Sequence, residues 1–372
     1  MIGRADALAE LTAALEGGTN VVLAGPRRTG KTSVCDAVLT RAAGHGLYVA
    51  SVDLFKLADA AELAEALATA VLNNRPAARK IIPKARKLGR NALNAAQGAA
   101  AIKLQTQLGD AVELALTPGL AARDPQRALT DALELPQRVA VADGKRMIVF
   151  FDEFQEVAND RHPYGDPEAV IKRMRSIFQR SDQVSHLFAG SLEHLMRQLF
   201  ASPGGAFGGF GTFRMLEPIS DDHWMHGLRD RFERDDCRIG EEALGLIVER
   251  GQLHPRVTML IAQQTHLLSV LLERRDIDVE LVIQGYEAAY RGDAALLDQL
   301  IERIRNSHKL GLKLARRIAA RQTLTGGVHA GDADRAIKKL LQAGLIERLG
   351  RGDYAIQNPL LRRHLLEPIG YI

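Results

Sequence analysis

Residues 25–32, Gly-Pro-Arg-Arg-Thr-Gly-Lys-Thr, fill every specified position of the pattern G-x-x-x-x-G-K-[ST], and what flanks them limits the fold more than any other segment. An apolar run, Val-Val-Leu-Ala at 21–24, leads in, and a helix-like stretch at 32–40 leads out. Strand, glycine-rich loop and helix in this order make a phosphate cradle: glycines let backbone N–H groups wrap an anion, and the helix N-terminus adds its dipole. A chance glycine turn has no reason to carry the lysine, the threonine and both flanking elements. Gly25, Pro26, Arg27, Arg28, Thr29, Gly30, Lys31, Thr32 and Ser33 are therefore candidate contacts for ATP or ADP. Lys31 is directed at the β- and γ-phosphates and Thr32 at Mg2+.

A second apolar run, Met-Ile-Val-Phe-Phe at 147–151, ends in Asp152 and Glu153 and reads as a buried parallel strand with two carboxylates at its C-terminal tip. Most such pairs are only solvated strand ends. Behind a complete phosphate loop, Asp152 is placed to hold Mg2+ and Glu153 to orient or deprotonate an attacking water. A third run at 185–190 leads to Ser191. That serine either faces the γ-phosphate or caps a helix over 192–200, and the two roles are compatible.

Four segments in this order, Ile2-Gly3-Arg4, GPRRTGKTS, FFDEFQE at 150–156 and FAGS at 188–191, resemble the archaeal-type ATPase family, a branch of the AAA+ and STAND ATPases similar in layout to replication-initiator ATPases. The likeness spans nearly the whole chain. It implies an α/β fold: an additional-strand P-loop NTPase core with a parallel sheet and helices on both faces, then a helical lid and a winged-helix domain. It also implies that Glu153, Lys31 and Ser191 form the catalytic set, that Ile2, Gly3 and Arg4 border the adenine, and that His254, Pro255 and Arg256 face the nucleotide from the lid. Taken alone, His254-Pro255-Arg256 is a helix start with proline in its first turn.

One departure from the family pattern bears on activity. Members usually carry an aromatic-Gly-Arg element before the last core strand, whereas residues 204–213 here read Gly-Gly-Ala-Phe-Gly-Gly-Phe-Gly-Thr-Phe. With that strand registered on 216–218, the arginine position falls on Phe210. An arginine near the γ-phosphate accelerates transfer by ~10³-fold or more, so the departure implies slow hydrolysis, or hydrolysis served by Arg197, Arg214 or a partner subunit. Five glycines within 204–211 imply a mobile loop.

The 372 residues leave room for two or three domains, and 46% hydrophobic residues suffice for their cores. The two cysteines, Cys35 and Cys237, lie in no metal spacing, which points to a reducing compartment without zinc. No stretch approaches the roughly 18 apolar residues of a membrane span, so neither a span nor a signal peptide is expected and the cytoplasm is the expected location.

The net charge of +4 conceals a segregation: residues 75–103 carry eight Lys/Arg and no Asp/Glu, and residues 300–372 carry fourteen against six. Together these segments hold +16, leaving −12 on the remainder. Basic parts on an acidic body suit a polyanion such as duplex DNA, or an acidic protein surface.

These landmarks divide the chain into a P-loop core at 1–220, with an insertion at about 72–135, a helical lid at 221–292 and a winged-helix domain at 293–372. Core strands are expected near Val21, at 48–55, near Met147 and His186, and at 214–219. Within the insertion, 79–90 reads as a basic helix and 101–116 as a β-hairpin. In the last domain a helix at 332–343 turns Arg335, Lys338 and Lys339 away from Ala333, Ile337 and Leu340, and a hairpin follows with Arg348 and Arg351 in its wing. Those five residues are the candidate DNA contacts, although a wet helix surface or a protein-binding one has the same composition. The functional expectation is an ATP-binding, slowly hydrolysing conformational switch, open to homo-oligomerisation. The alternatives are a DNA-binding regulator with structural nucleotide, or a STAND-type signalling or scaffold protein.

Overall fold

The structure, a computed structural model, describes residues 1–25, 29–76, 78–80, 82–83, 108, 111–117, 119–158, 166–191, 193–202, 204–324, 326–327, 329–350 and 352–368. Two compact units emerge. One comprises Asp6–Gly25 and Lys31–Leu216; the other comprises Met1–Ala5, Pro26–Gly30 and Glu217–Ile372.

The first unit is built on five strands: β1 (Val21–Ala24), β2 (Tyr48–Asp53), β3 (Met147–Asp152), β4 (Val184–Gly190) and β5 (Thr212–Met215). Their order is β2-β3-β4-β1-β5, and every pairing is parallel. Parallel strands covered on both faces are apolar throughout, and alternation sends successive side chains to opposite cores. Val149 and Phe151 of β3 enter one core, Ile148 and Phe150 the other. Around the sheet lie α1 (Ala5–Glu16), α2 (Lys31–Gly44), α3 (Ala60–Leu72), α4 (Ala111–Leu116), α5 (Pro125–Asp143), α6 (Pro167–Phe178) and α7 (Glu193–Phe200). Asp59, Asp124 and Asp166 start α3, α5 and α6 by accepting backbone N–H bonds, with proline in the first turn of the latter two.

Two expectations for this unit are corrected. Residues 111–116 are helical, not the arm of a hairpin, because Ala111, Val112, Ala115 and Leu116 recur at helical spacing and bury against α3 and α5. The expected arm at 101–107, and most of the expected basic helix, lie outside the described residues; 78–80 and 82–83 are helical. The last core strand is Thr212–Met215, earlier than expected, since it must match Val21–Ala24 in register.

The glycine-rich segment ahead of β5 is wound into successive turns, with Gly205 N–H bonded to Ser202, Phe207 to Leu199, Gly208 to Gly205 and Phe210 to Phe207 carbonyls. Phe207 is fully buried among Phe154, Phe188 and Phe200, with ring centroids 5.6, 5.8 and 5.1 Å away. At Gly205 a Cβ would meet the Gln198 carbonyl at 2.5 Å, so the glycine permits a close approach there.

The second unit contains α8 (Asp221–Arg234), α9 (Glu241–Gly251), α10 (Pro255–Leu271), α11 (Val279–Gly292), α12 (Ala294–Ser307), α13 (Gly311–Ala319), α14 (Ala330–Gln342) and α15 (Pro359–Leu366). It is not wholly helical before residue 293: Arg238–Ile239 and Asp276–Ile277 form a short parallel pair, β6 and β7. After α14 come the antiparallel strands β8 (Ile346–Gly350) and β9 (Asp353–Ile356). One apolar core runs from Trp224 to Leu365 through these helices. No helix among the described residues is long and apolar enough to cross a membrane. Both Cys35 and Cys237 are buried free thiols, and burial pushes the Cys35 thiol well up, with Asp152 adding to the effect.

Candidate active site

Strands β1, β3 and β4 are neighbours, so their C-terminal ends deliver Gly25, Asp152 with Glu153, and Gly190 with Ser191 to one edge of the sheet. This edge is where open parallel sheets bind ligands, at the point between β1 and β4 where the onward connections run in opposite directions. Pro26, Arg27 and Arg28 lie outside the described residues. Gly30 has φ +89° with open space where a Cβ would be, so conformation rather than crowding selects glycine. Lys31 opens α2; its side chain is buried and Nζ donates to the Gly25 carbonyl at 2.8 Å, which folds the ammonium back over the loop. Thr32 and Ser33 are exposed on the same first turn.

Thr32 Oγ1 donates to Asp152 Oδ2 at 2.7 Å. Burial pushes the Asp152 carboxyl up from its ordinary range, against the pull of Thr32 and of the Glu153 N–H, which donates to Oδ1 at 2.9 Å. A hydroxyl and a carboxylate, both hard oxygen donors beside a lysine-bearing loop, fit Mg2+. Asp53, at the end of β2, lies opposite Asp152 in register and is paired with Lys56 at 2.9 Å.

Glu153 stands at φ +50°, in the left-handed region. Ser191 Oγ donates to Glu153 Oε2 at 2.7 Å, and Gln155 Nε2 donates to the same oxygen. Ser191 N–H donates to Gln155 Oε1 at 3.1 Å. Gln155 was not singled out by the sequence; it lies inside the FFDEFQE segment, but only the short 3-10 turn Phe154–Ala158 brings it against β4.

The remaining sequence candidates fall as follows. Ile2 packs on α8, where a Cβ on Gly227 would lie 2.7 Å from its Cγ1; Gly3 has φ +57°. Arg4 is buried and donates to the carbonyls of Glu217 at 2.5 Å and Thr29 at 3.3 Å. His254 caps α10 by accepting from Val257 N–H at 3.3 Å, with Pro255 behind it, and Arg256 grips Asp293 at 2.5 and 2.8 Å. Phe210 is half-buried against the phenylalanine cluster, with the Arg175 guanidinium 5.2 Å from its ring. Arg197 lies over the Phe213 ring at 5.2 Å, and Arg214 pairs with Glu10 at 2.7 Å. Arg335, Lys338, Lys339 and Arg348 are exposed, Arg335 bonding Asp332 at 2.5 Å; Arg351 lies outside the described residues.

A parallel sheet of order β2-β3-β4-β1-β5, with Lys31 and Thr32 opening the helix that follows β1, an acidic pair after β3 and a serine after β4, has the fold of a P-loop ATPase. Over nearly the whole chain it is similar to the Walker-type ATPase PABY2304 of Pyrococcus abyssi: 15% identity, TM-score 0.67, covering 98% of this chain and 96% of that one. It is also similar to the Aeropyrum pernix ORC2 protein, solved with ADPNP and ADP, at 15% identity and TM-score 0.56 over 98% of this chain and 92% of that one. At such identity the likeness is one of fold. No protein-family model and no curated protein matches the chain.

Proposed function

We propose that the chain is a Mg2+-dependent ATP-binding switch that hydrolyses ATP slowly. The observation that carries this reading is the convergence of Lys31, Thr32, Asp152, Glu153 and Ser191 on one sheet edge, joined by the Thr32–Asp152 and Ser191–Glu153 hydrogen bonds of 2.7 Å each. Lys31 serves the β- and γ-phosphates, Thr32 and Asp152 hold Mg2+, Ser191 faces the γ-phosphate, and Glu153 takes a proton from the attacking water. Slowness follows from the lack of any arginine in the segment 204–213 ahead of β5. The working divisions are a core at 1–220, a lid at 221–292 and a winged helix at 293–372, in a cytoplasmic protein able to self-associate.

Support for the winged helix is the succession α12, α13, α14, β8, β9, in which Ala333, Ala336, Ile337 and Leu340 are buried and Arg335, Lys338 and Lys339 are exposed. Its partner in this reading is duplex DNA, contacted through phosphates. A nucleotide switch of this kind works only insofar as ATP and ADP favour different arrangements. A second reading, a DNA-binding regulator whose nucleotide is structural, is favoured by the same lack of an arginine ahead of β5. Calorimetric titration of ATP with Mg2+ tests the core claim. The wild type should bind and Lys31→Ala should not, because Lys31 supplies the cation for the β- and γ-phosphates; equal affinities in two folded proteins sink the reading. Turnover distinguishes switch from structural nucleotide.

A further inference from the structure

Gln155 is 1% exposed, yet both ends of its amide are bonded to groups of the candidate active site. Oε1 accepts the Ser191 N–H at 3.1 Å, while Nε2 donates to Glu153 Oε2 and stands 3.5 Å from Ser191 Oγ. Ser191 Oγ donates to the same Glu153 oxygen at 2.7 Å, which closes a triangle of three side chains. Two backbone features accommodate it. Glu153 takes a left-handed φ of +50°, a conformation unfavourable for an L-residue and sustained only where surroundings over-determine it. Gly190 leaves the amide its space: a Cβ there would lie 2.6 Å from Gln155 Oε1 and 2.4 Å from Met196 Sδ. Leucine or methionine would fill this pocket of the core but would neither accept the Ser191 N–H nor donate to Glu153, so packing alone does not select glutamine.

We infer that Gln155 is a positioning residue that locks the Glu153 carboxylate and the Ser191 hydroxyl into one unit. It acts through Glu153 and has no need to touch the nucleotide. With the amide in place, the water-activating carboxylate and the hydroxyl on the γ-phosphate side are held as a braced triangle; without it, the single Ser191–Glu153 bond of 2.7 Å remains between these side chains and the pair loses its anchor to Gln155. The inference rests on the assignment of Glu153 as the base.

The test is single-turnover ATP hydrolysis by the full chain with Mg2+, in the wild type, Gln155→Met, Glu153→Gln and the double variant. ATP affinity and melting temperature are measured on each. Gln155→Met should bind ATP as the wild type does but react about 10²-fold more slowly, the scale of lost alignment. In the Glu153→Gln background the same substitution should change the rate by less than about twofold, because the group it acts through is gone. Some loss of melting temperature is expected in either case, because the acceptor of the Ser191 N–H is removed; a purely structural glutamine would impose its full factor on the rate in both backgrounds, which overturns the inference. Gln155→Asn retains the amide one methylene short and covers the case in which the Met variant fails to fold. It should lose less than Gln155→Met with the same non-additivity, and an additive loss again overturns the role. If the wild type shows no turnover, or Glu153→Gln leaves turnover intact, the assignment of the base fails and this inference with it. If Glu153→Gln stops turnover while the Gln155 effects add, only the positioning role fails.

Discussion

At Asp152, stability and binding pull in opposite directions. Its carboxyl is pushed up chiefly by burial, so the folded chain without metal holds the protonated form more tightly than the unfolded chain does. The resulting contribution to stability is present below the unfolded value of ~3.9 and is lost as pH rises through the higher folded value. Asp152→Asn removes the buried charge and keeps an oxygen to accept the Glu153 N–H, while its NH2 can donate to Thr32 Oγ1 with the hydroxyl turned to accept. We expect it to raise the melting temperature of the nucleotide-free protein at pH 7, by an amount that fades toward pH 4, while Mg2+-dependent ATP affinity falls. Melts across pH check this, and a lower melting temperature at pH 7 would show that the two hydrogen bonds outweigh burial. Glu153→Gln should leave ATP binding intact and cut hydrolysis by ~10²-fold or more. Lys31, Thr32, Asp152, Glu153 and Ser191 could be picked out in the sequence because phosphate and metal chemistry asks for particular residue types at strand ends. Gln155 could not: a glutamine inside FFDEFQE acquires its place only when β3 and β4 pair and the turn after Glu153 folds back.

The elements that escaped sequence reading are those whose identity depends on what covers them. Residues 111–116 alternate well enough to pass for a strand, yet the two helices they meet settle them as helix. Two-residue strands such as β6 and β7 carry no periodicity at all. The turns at 204–211 show the same effect: five glycines suggest freedom, whereas Phe207 anchors them and Arg175 donates to the Ala206 and Gly208 carbonyls at 3.1 and 3.3 Å. Phe207→Ala should therefore cost about 3–5 kcal/mol in urea unfolding, as expected for a buried phenylalanine. The floor beneath Phe154 and the adjoining Gln155 would loosen with it. Phe210→Arg should not restore a family-like arginine. It removes a ring from the cluster and sets a second guanidinium beside Arg175, so we expect lower stability and no gain in single-turnover rate. A faster Phe210→Arg enzyme of normal stability would contradict that.

Over the whole chain the unequal spread of charge is the strongest pointer to a macromolecular partner, and it is one that fold cannot supply. Residues 300–372 carry fourteen Lys/Arg against six Asp/Glu in a protein of net charge +4. On α14 the exposed Arg335, Lys338 and Lys339 lie along the side opposite a buried Ala333, Ala336, Ile337 and Leu340. Only Arg335 of the three has a hydrogen-bonding carboxylate, that of Asp332, among the described residues, and an exposed pair of this kind contributes little. If this surface meets duplex DNA, affinity must fall with salt at a log–log slope near −0.9 for each phosphate neutralised. Replacing the three residues with alanine should flatten that slope by up to about 2.7 and weaken binding at low salt, uniformly across DNA sequences, since phosphate contacts carry no base readout. Fluorescence anisotropy over a salt series, with ATP and then with ADP, measures both the slope and any coupling to the nucleotide. A wild-type slope that the triple variant leaves unchanged would place the DNA elsewhere on the chain. A wild type that never shifts DNA at low salt would leave the basic face of α14 to an acidic protein surface, and the nucleotide dependence would then be sought in that complex.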